Sequence, residues 1–365
     1  MNDDTKPSSI TRRDSLKLLV PSAAAFVLSG QSFADPGPEE LPRSKMGLVI
    51  YDCNHRRQWL REKNLQHDLF EPITFLKHCQ ALGAGGMQAN LGVMATEEVR
   101  ELRNFADQHQ LFIDAIISVP KNDTDVDRFE AEIKTAREVG AQAARTTIIP
   151  GRRYERFKSL AEFREFENNG QRMLERAAPI VEKHRVPLAV ENHKDQRIAD
   201  RIALFQHLDS EFVGACVDTG NSFALLDGAY EPIEALAPYA FSVHLKDQSL
   251  HEYEEGFLLA DIPLGQGSFD LKRMVQTLRK FKPQICFSLE LITRDPLKVP
   301  CLTEDYYATM PDVLSRDLAR TLQFVRMNSS ENLQEVGTLP LERRVQLEDT
   351  NIAASLTYAR EELSL

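Results

Sequence analysis

Glu191, Asp218, His244 and Glu290 are the residues of this 365-residue chain whose types and spacing best suit a reactive centre. They lie 27, 26 and 46 residues apart, and each falls at the end of a short run of alternating apolar and small or polar residues. Three carboxylates and an imidazole are costly to bury together, because like charges a few ångströms apart oppose joint ionisation. A divalent cation resolves that conflict. An oxygen-rich set with one nitrogen favours Mn²⁺ or Mg²⁺, and admits Co²⁺ or Zn²⁺, over a thiolate-rich site. The plainer alternative is four unrelated strand-end residues, each held by its own salt bridge. The parity that all four runs share argues against it.

In the run 188–193, Leu188 and Val190 suit a layer of helices, which leaves Ala189, Glu191 and His193 on the other face. Val213, Ala215 and Val217 likewise leave Gly214, Cys216 and Asp218 facing inward. Phe241, Val243 and Leu245 leave Ser242, His244 and Lys246, and Ile285, Phe287 and Leu289 leave Cys286, Ser288 and Glu290. Such two-faced runs belong to barrel strands, whose side chains alternate between the interior and the surrounding helices.

The elements that must position these residues follow the same logic. From Lys45 onward, strand candidates at 46–52, 85–91, 111–119, 143–149, 187–192, 212–218, 240–245 and 285–291 alternate with amphipathic, capped stretches. Eight such units in roughly 250 residues predict an α/β fold, a (β/α)8 TIM barrel, with chemistry at the C-terminal ends of its strands. Residues 310–327 are expected as the eighth helix. The helical spacing of Val345, Ile352, Leu356 and Ala359 predicts an extra C-terminal helix within 329–365 that packs back on the barrel of 45–328.

The formal net charge is −11 and the pI about 5.4, so a phosphate backbone or an anionic membrane would meet repulsion; nucleic acid is not an expected partner. Thr11-Arg12-Arg13-Asp14-Ser15-Leu16-Lys17 precedes an apolar stretch, and Ser32-Phe33-Ala34 supplies the small residues of a cleavage site. Residues 1–34 therefore read as a twin-arginine export signal, followed by a linker at 35–44, and predict a periplasmic protein in a bacterium. The apolar stretch is broken by Pro21 and too short for a stable membrane span of about 20 residues. Five cysteines without a C-x-x-C pair argue against a disulfide framework or zinc ribbon.

Glu191-Asn192-His193, Asp218-Thr219-Gly220-Asn221, His244-Leu245-Lys246-Asp247 and Leu289-Glu290-Leu291, with Pro263-Leu264-Gly265-Gln266-Gly267 before the last, resemble the sugar phosphate isomerase/epimerase family of xylose isomerase-like barrels. That group includes ketose 3-epimerases and inosose dehydratases. The resemblance implies that Glu191, Asp218, His244 and Glu290 bind one divalent metal ion, with Mn²⁺ favoured. It also implies that Glu191 and Glu290 exchange a proton beside a carbonyl through an enediolate. The chain departs from the ketose epimerases at Asn221, where they carry a histidine.

Around that centre, His193, Asn221, Lys246, Gln88, Asn90 and Arg145 are candidate contacts for sugar hydroxyls or an anionic group. Lys246 could instead pair with Asp247. The expected activity is a metal-dependent isomerase or epimerase of a carbohydrate. Its alternatives are a lyase or hydratase of 3-keto sugars or 3-keto glycosides using the same enolate chemistry, and a non-catalytic sugar-binding barrel. A homo-oligomer is compatible with the helical tail and required by nothing.

Overall fold

The structure, a computed structural model, describes residues 43–63, 68–149, 151–331 and 333–365; the export signal and most of the linker expected at 1–44 lie outside them. Eight parallel strands close a barrel: β1 (Gly47–Val49), β2 (Gly86–Ala89), β3 (Phe112–Ile116), β4 (Ala144–Thr146), β5 (Leu188–Glu191), β6 (Val213–Asp218), β7 (Ala240–Leu245) and β10 (Phe287–Leu289). They run in chain order around the ring, β10 pairing with both β7 and β1. The expected (β/α)8 barrel is therefore the fold. Several strands are shorter than the sequence runs, because ladder pairing ends before the alternation does; residues 50–53, for instance, coil into a 3₁₀ turn.

Between β7 and its helix (Leu271–Phe281) the chain inserts a hairpin, β8 (Asp247–Tyr253) and β9 (Gly256–Ile262), to which β11 (Leu297–Val299) adds an antiparallel third strand. This hairpin accounts for the 46-residue gap before Glu290. After it, Asp247 accepts hydrogen bonds from Gly265 N (3.0 Å), Gly267 N (2.9 Å) and Phe269 N (3.3 Å), and so clamps the Pro263–Gly267 loop. Glycine is required there twice. A Cβ on Gly267 would stand 2.1 Å from Asp247 Oδ1, and Gly265 has φ +81° with the Tyr358 ring where a Cβ would go.

The helix Ser315–Met327 packs on the β8–β9 hairpin and does not fill the eighth position expected of 310–327. That place is taken by the last helix, Leu341–Glu362, which lies against the helix Asn54–Glu62 and reaches the helix Leu271–Phe281 through Lys272–Glu362 (2.7 Å). It is thus part of the barrel's outer ring. The sequence reading missed this because both segments have helical spacing of apolar residues, and spacing does not show which of them the ring takes up.

The last helix also completes the helix Asn54–Glu62, whose N-cap residue Cys53 offers no side-chain acceptor. Glu348, buried, accepts from His55 N (2.9 Å) and Arg56 N (2.8 Å) in its place. Burial pushes the Glu348 carboxyl up to about 7, although those two N–H groups pull it down. Because the folded pKa lies above the unfolded one, the stability linked to this proton is fully present below about pH 4.5 and is lost as pH rises through about 7. Glu348→Gln keeps an acceptor and removes the titration. Thermal and chemical denaturation from pH 5 to 8 should show the native chain losing on the order of 3 kcal/mol relative to the variant; parallel profiles would contradict this account.

Candidate active site

Glu191 ends β5, Asp218 ends β6, His244 is the penultimate residue of β7, and Glu290 directly follows β10. These four strands are consecutive in the ring, and the register sets Asp218 and Ser288 on either side of His244. One ligand atom from each of the four buried residues lies within 4.8 Å of all the others. The interior beneath them is filled by small side chains, Ala143, Ala189 and Cys216.

Each of the four is held from behind. Asn192 Oδ1 accepts from Asp218 N (2.7 Å) while its Nδ2 donates to Asp218 O (2.9 Å), tying the ends of β5 and β6 together. Asp218 Oδ1 accepts from Gly220 N (2.9 Å) and Asn221 N (2.7 Å). Gln88 Oε1 lies 2.7 Å from His244 Nε2, and the Gln88 amide in turn reaches Ser242 Oγ (3.4 Å), which donates to Asp114 Oδ2 (2.6 Å). Because Gln88 presents an acceptor, the hydrogen sits on Nε2 and Nδ1 faces the carboxylates. There it is 3.4 Å from Glu290, 3.7 Å from Glu191 and 3.8 Å from Asp218.

One buried atom in this cluster, His244 Nδ1, has no hydrogen-bond partner, while Asp218 Oδ2 is met by the Lys246 ammonium at 2.9 Å. Buried polar atoms are seldom left so. An imidazole nitrogen without a partner, with three carboxylates gathered around it, fits a divalent cation. Charge balance by itself does not demand one, as the sequence argument supposed. Arg145 pairs with Glu191, and Lys246 Nζ lies 2.7 Å from Glu290 and 2.9 Å from Asp218.

These partners set the electrostatics. Burial would raise the carboxyl of Glu191, but Arg145 outweighs it and holds the group below the usual carboxylate range. Burial is likewise overcome at Glu290, by Lys246 and His244. Asp218 keeps the effect of burial, eased by Lys246, and is pushed up to about 7. Burial disfavours protonated His244, and Cys216, Glu290 and Glu191 together reverse that, raising it well above the imidazole range. Both glutamates are therefore ionised at neutral pH.

The contact residues expected from sequence divide. His193 is half-buried at the mouth, its Nδ1 3.2 Å from Gly151 O, and Asn90 is exposed one residue past β2. Gln88 and Arg145 are buried and engaged by His244 and Glu191. Asn221 too is engaged, donating to Glu191 Oε1 (3.1 Å) and accepting from Lys194 and Lys246. Lys246 pairs with Asp218 and Glu290 and not with Asp247, which clamps the glycine loop instead. Phe241 is a further correction. A register shift between β6 and β7 skips it, so it packs on the interior cluster and over Gly214 and not toward the helices.

The family model of xylose isomerase-like TIM barrels matches residues 76–316, about two thirds of the chain and all four ligand positions. The chain belongs to that family. It is similar to a 3-oxo-isoapionate decarboxylase of Pectobacterium atrosepticum, 31% identical over 103 residues. That match spans 28% of this chain and 38% of the relative's length. Its fold is similar to that of 3-keto-D-glucoside 4-epimerase from E. coli, with a TM-score of 0.50, 12% identity, and 78% of this chain and 100% of that one covered. A xylose isomerase-like barrel protein of Mycobacterium smegmatis in complex with magnesium aligns over 68% of this chain and 88% of its own, at 17% identity and TM-score 0.44. No helix among the described residues is long and apolar enough to cross a membrane.

The parity reading of this xylose isomerase-like barrel missed the groups that support the ligands. Lys194, Asp195 and Arg201 follow β5 where alternation has ended; Asp52 bridges Val49 N (3.1 Å) and Leu291 N (2.8 Å), holding the chain beside Glu290. The signal for Lys194 was its place directly after Glu191-Asn192-His193. Of these supports, Gln88 has the cleanest test. Gln88→Leu removes the acceptor that orients His244 and should weaken Mn²⁺ binding by about 10- to 100-fold in titration calorimetry; unchanged affinity in a folded variant would deny Gln88 that role.

Proposed function

We propose that the chain is a divalent-metal-dependent enzyme that moves a proton on the carbon beside the carbonyl of a keto sugar, as an isomerase or epimerase does. The observation that carries this reading is the convergence of two ionised glutamates and Asp218 on the unpartnered His244 Nδ1. Glu191, Asp218, His244 and Glu290 would hold the ion, which when bound polarises the substrate's carbonyl and stabilises the enolate charge. Glu290 is the base: it is 7% exposed, the most open of the four. Glu191, fully buried between Arg145 and Asn221, would be fixed as a ligand, and the proton that Glu290 removes is returned by Glu290 itself. His193 and Asn90 at the mouth are placed to contact hydroxyl groups.

A second reading uses the same enolate and breaks a bond beside it, releasing a leaving group or carbon dioxide. The stretch similar to a decarboxylase favours it. Proton NMR of the full chain with Mg²⁺ in D₂O, on ketoses, 3-keto glucosides and keto acids, tests both. Deuterium at the carbon beside the carbonyl with an epimer or isomer as product supports the first reading. Aglycone or carbon dioxide release supports the second. No reaction with any substrate while metal is bound would leave the sugar-binding barrel and overturn both. We also propose export before action, on the strength of Arg12-Arg13. Replacing both arginines by lysine should retain the chain inside the cell.

A further inference from the structure

We infer that the substrate carries a carboxylate, and that Lys194 binds it; this deepens the proposed function and rests on that reading for the site's occupant. Lys194 is 2% exposed, and its Nζ donates to Asn221 Oδ1. Lys246 Nζ reaches the same oxygen at 3.4 Å, so two ammonium groups gather around one amide beside the metal ligands.

The cations in contact with the four clustered residues, and two more close by, each have a carboxylate. Arg145 has Glu191, Lys246 has Asp218 and Glu290, Arg294 has Asp261 at 2.9 Å, and Arg201 has Asp195 at 2.9 Å. Lys194 has no carboxylate within ion-pair distance among the described residues. A buried ammonium spends its desolvation cost only against an anion or a full set of acceptors, and one amide oxygen satisfies one of its three N–H groups. The loop that carries it is built to hold it. Arg153 N donates to Lys194 O (2.8 Å), Arg153 Nη1 reaches Asp195 O (3.4 Å), and the Arg153 guanidinium lies 3.5 Å from the Phe163 ring centre.

A divalent cation on Glu191, Asp218, His244 and Glu290 would draw on the same carboxylates that now balance Arg145 and Lys246, so a loaded site holds surplus positive charge next to Lys194. An anionic group on the substrate balances it. One ammonium, seconded by Lys246, matches a singly charged carboxylate better than a doubly charged phosphate ester. The favoured substrate is a keto-sugar acid, with the neutral ketose and the sugar phosphate as poorer ligands.

The test is binding and not turnover, so it stands or falls apart from the proton-transfer reading. Titration calorimetry of the Mg²⁺-loaded full chain compares 2-keto-D-gluconate with D-fructose, which differ by a carboxylate in place of a hydroxymethyl group, and with D-fructose 1-phosphate. The acid should bind roughly 10- to 100-fold more tightly than D-fructose. Lys194→Gln should bring the two within about threefold, and Lys194→Arg should restore much of the preference. No preference for the acid, whether both sugars bind or neither does, overturns the inference. So does tighter binding of the phosphate ester, or a preference that Lys194→Gln leaves intact in a folded protein.

Discussion

Glu290→Gln should lower the rate of carbon–proton exchange by roughly 10³-fold while leaving substrate affinity within about tenfold. The replacement is isosteric and keeps an oxygen for Lys246, so the wall of the site stands, but an amide cannot take the proton. Glu191→Gln should behave differently, because Glu191 is fully buried against Arg145 and Asn221. It loses a comparable rate and, beyond the weaker metal binding expected of either variant, also stability, since an amide leaves the Arg145 guanidinium buried without its counter-charge. Single-turnover exchange, metal titration and denaturation of the two variants separate these profiles. Exchange within tenfold of the native rate in Glu290→Gln would remove it as the base.

Arg201→Met should destabilise the fold by about 3–5 kcal/mol. Arg201 and Asp195 are both fully buried and paired at 2.9 Å, and Arg201 Nε and Nη1 and Asp195 Oδ1 find no other partner. Removing the guanidinium strands a carboxylate in the interior; the double variant Asp195→Leu with Arg201→Met strands nothing and should recover most of the loss. Chemical denaturation measures both. A single variant as stable as the native chain would mean that the pair is not dry, and a double variant worse than the single would mean that packing and not charge governs the position.

The centre was legible because barrel strands have two faces. In β5, β6, β7 and β10 small or polar residues occupy one face throughout, and a run such as Gly214, Cys216, Asp218 announces both the interior and its chemically active end. What parity cannot show is which neighbour a side chain meets. Gln88 and Arg145 were placed on the inner face, but only the closed ring shows that Gln88 lies against His244 of β7 and Arg145 against Glu191 of β5. Phe241 defeated the rule because the shift between β6 and β7 removes it from the alternation. The β8–β9 hairpin is not among the eight strand runs, since its alternation serves a small sheet outside the barrel. Lys194 was invisible to any periodic argument because it stands past the strand, in a loop whose shape is set by Arg153, Asp195 and Arg201.

The claim on which the rest depends is that these four side chains hold one divalent ion. Anomalous diffraction from crystals of the full chain grown with Mn²⁺ addresses it directly. The account predicts a single strong peak per chain within bonding distance of Glu191, Asp218, His244 Nδ1 and Glu290, with His244 Nε2 still on Gln88. A site that stays free of manganese at saturating concentration, with Lys246 still bridging Asp218 and Glu290, would contradict it.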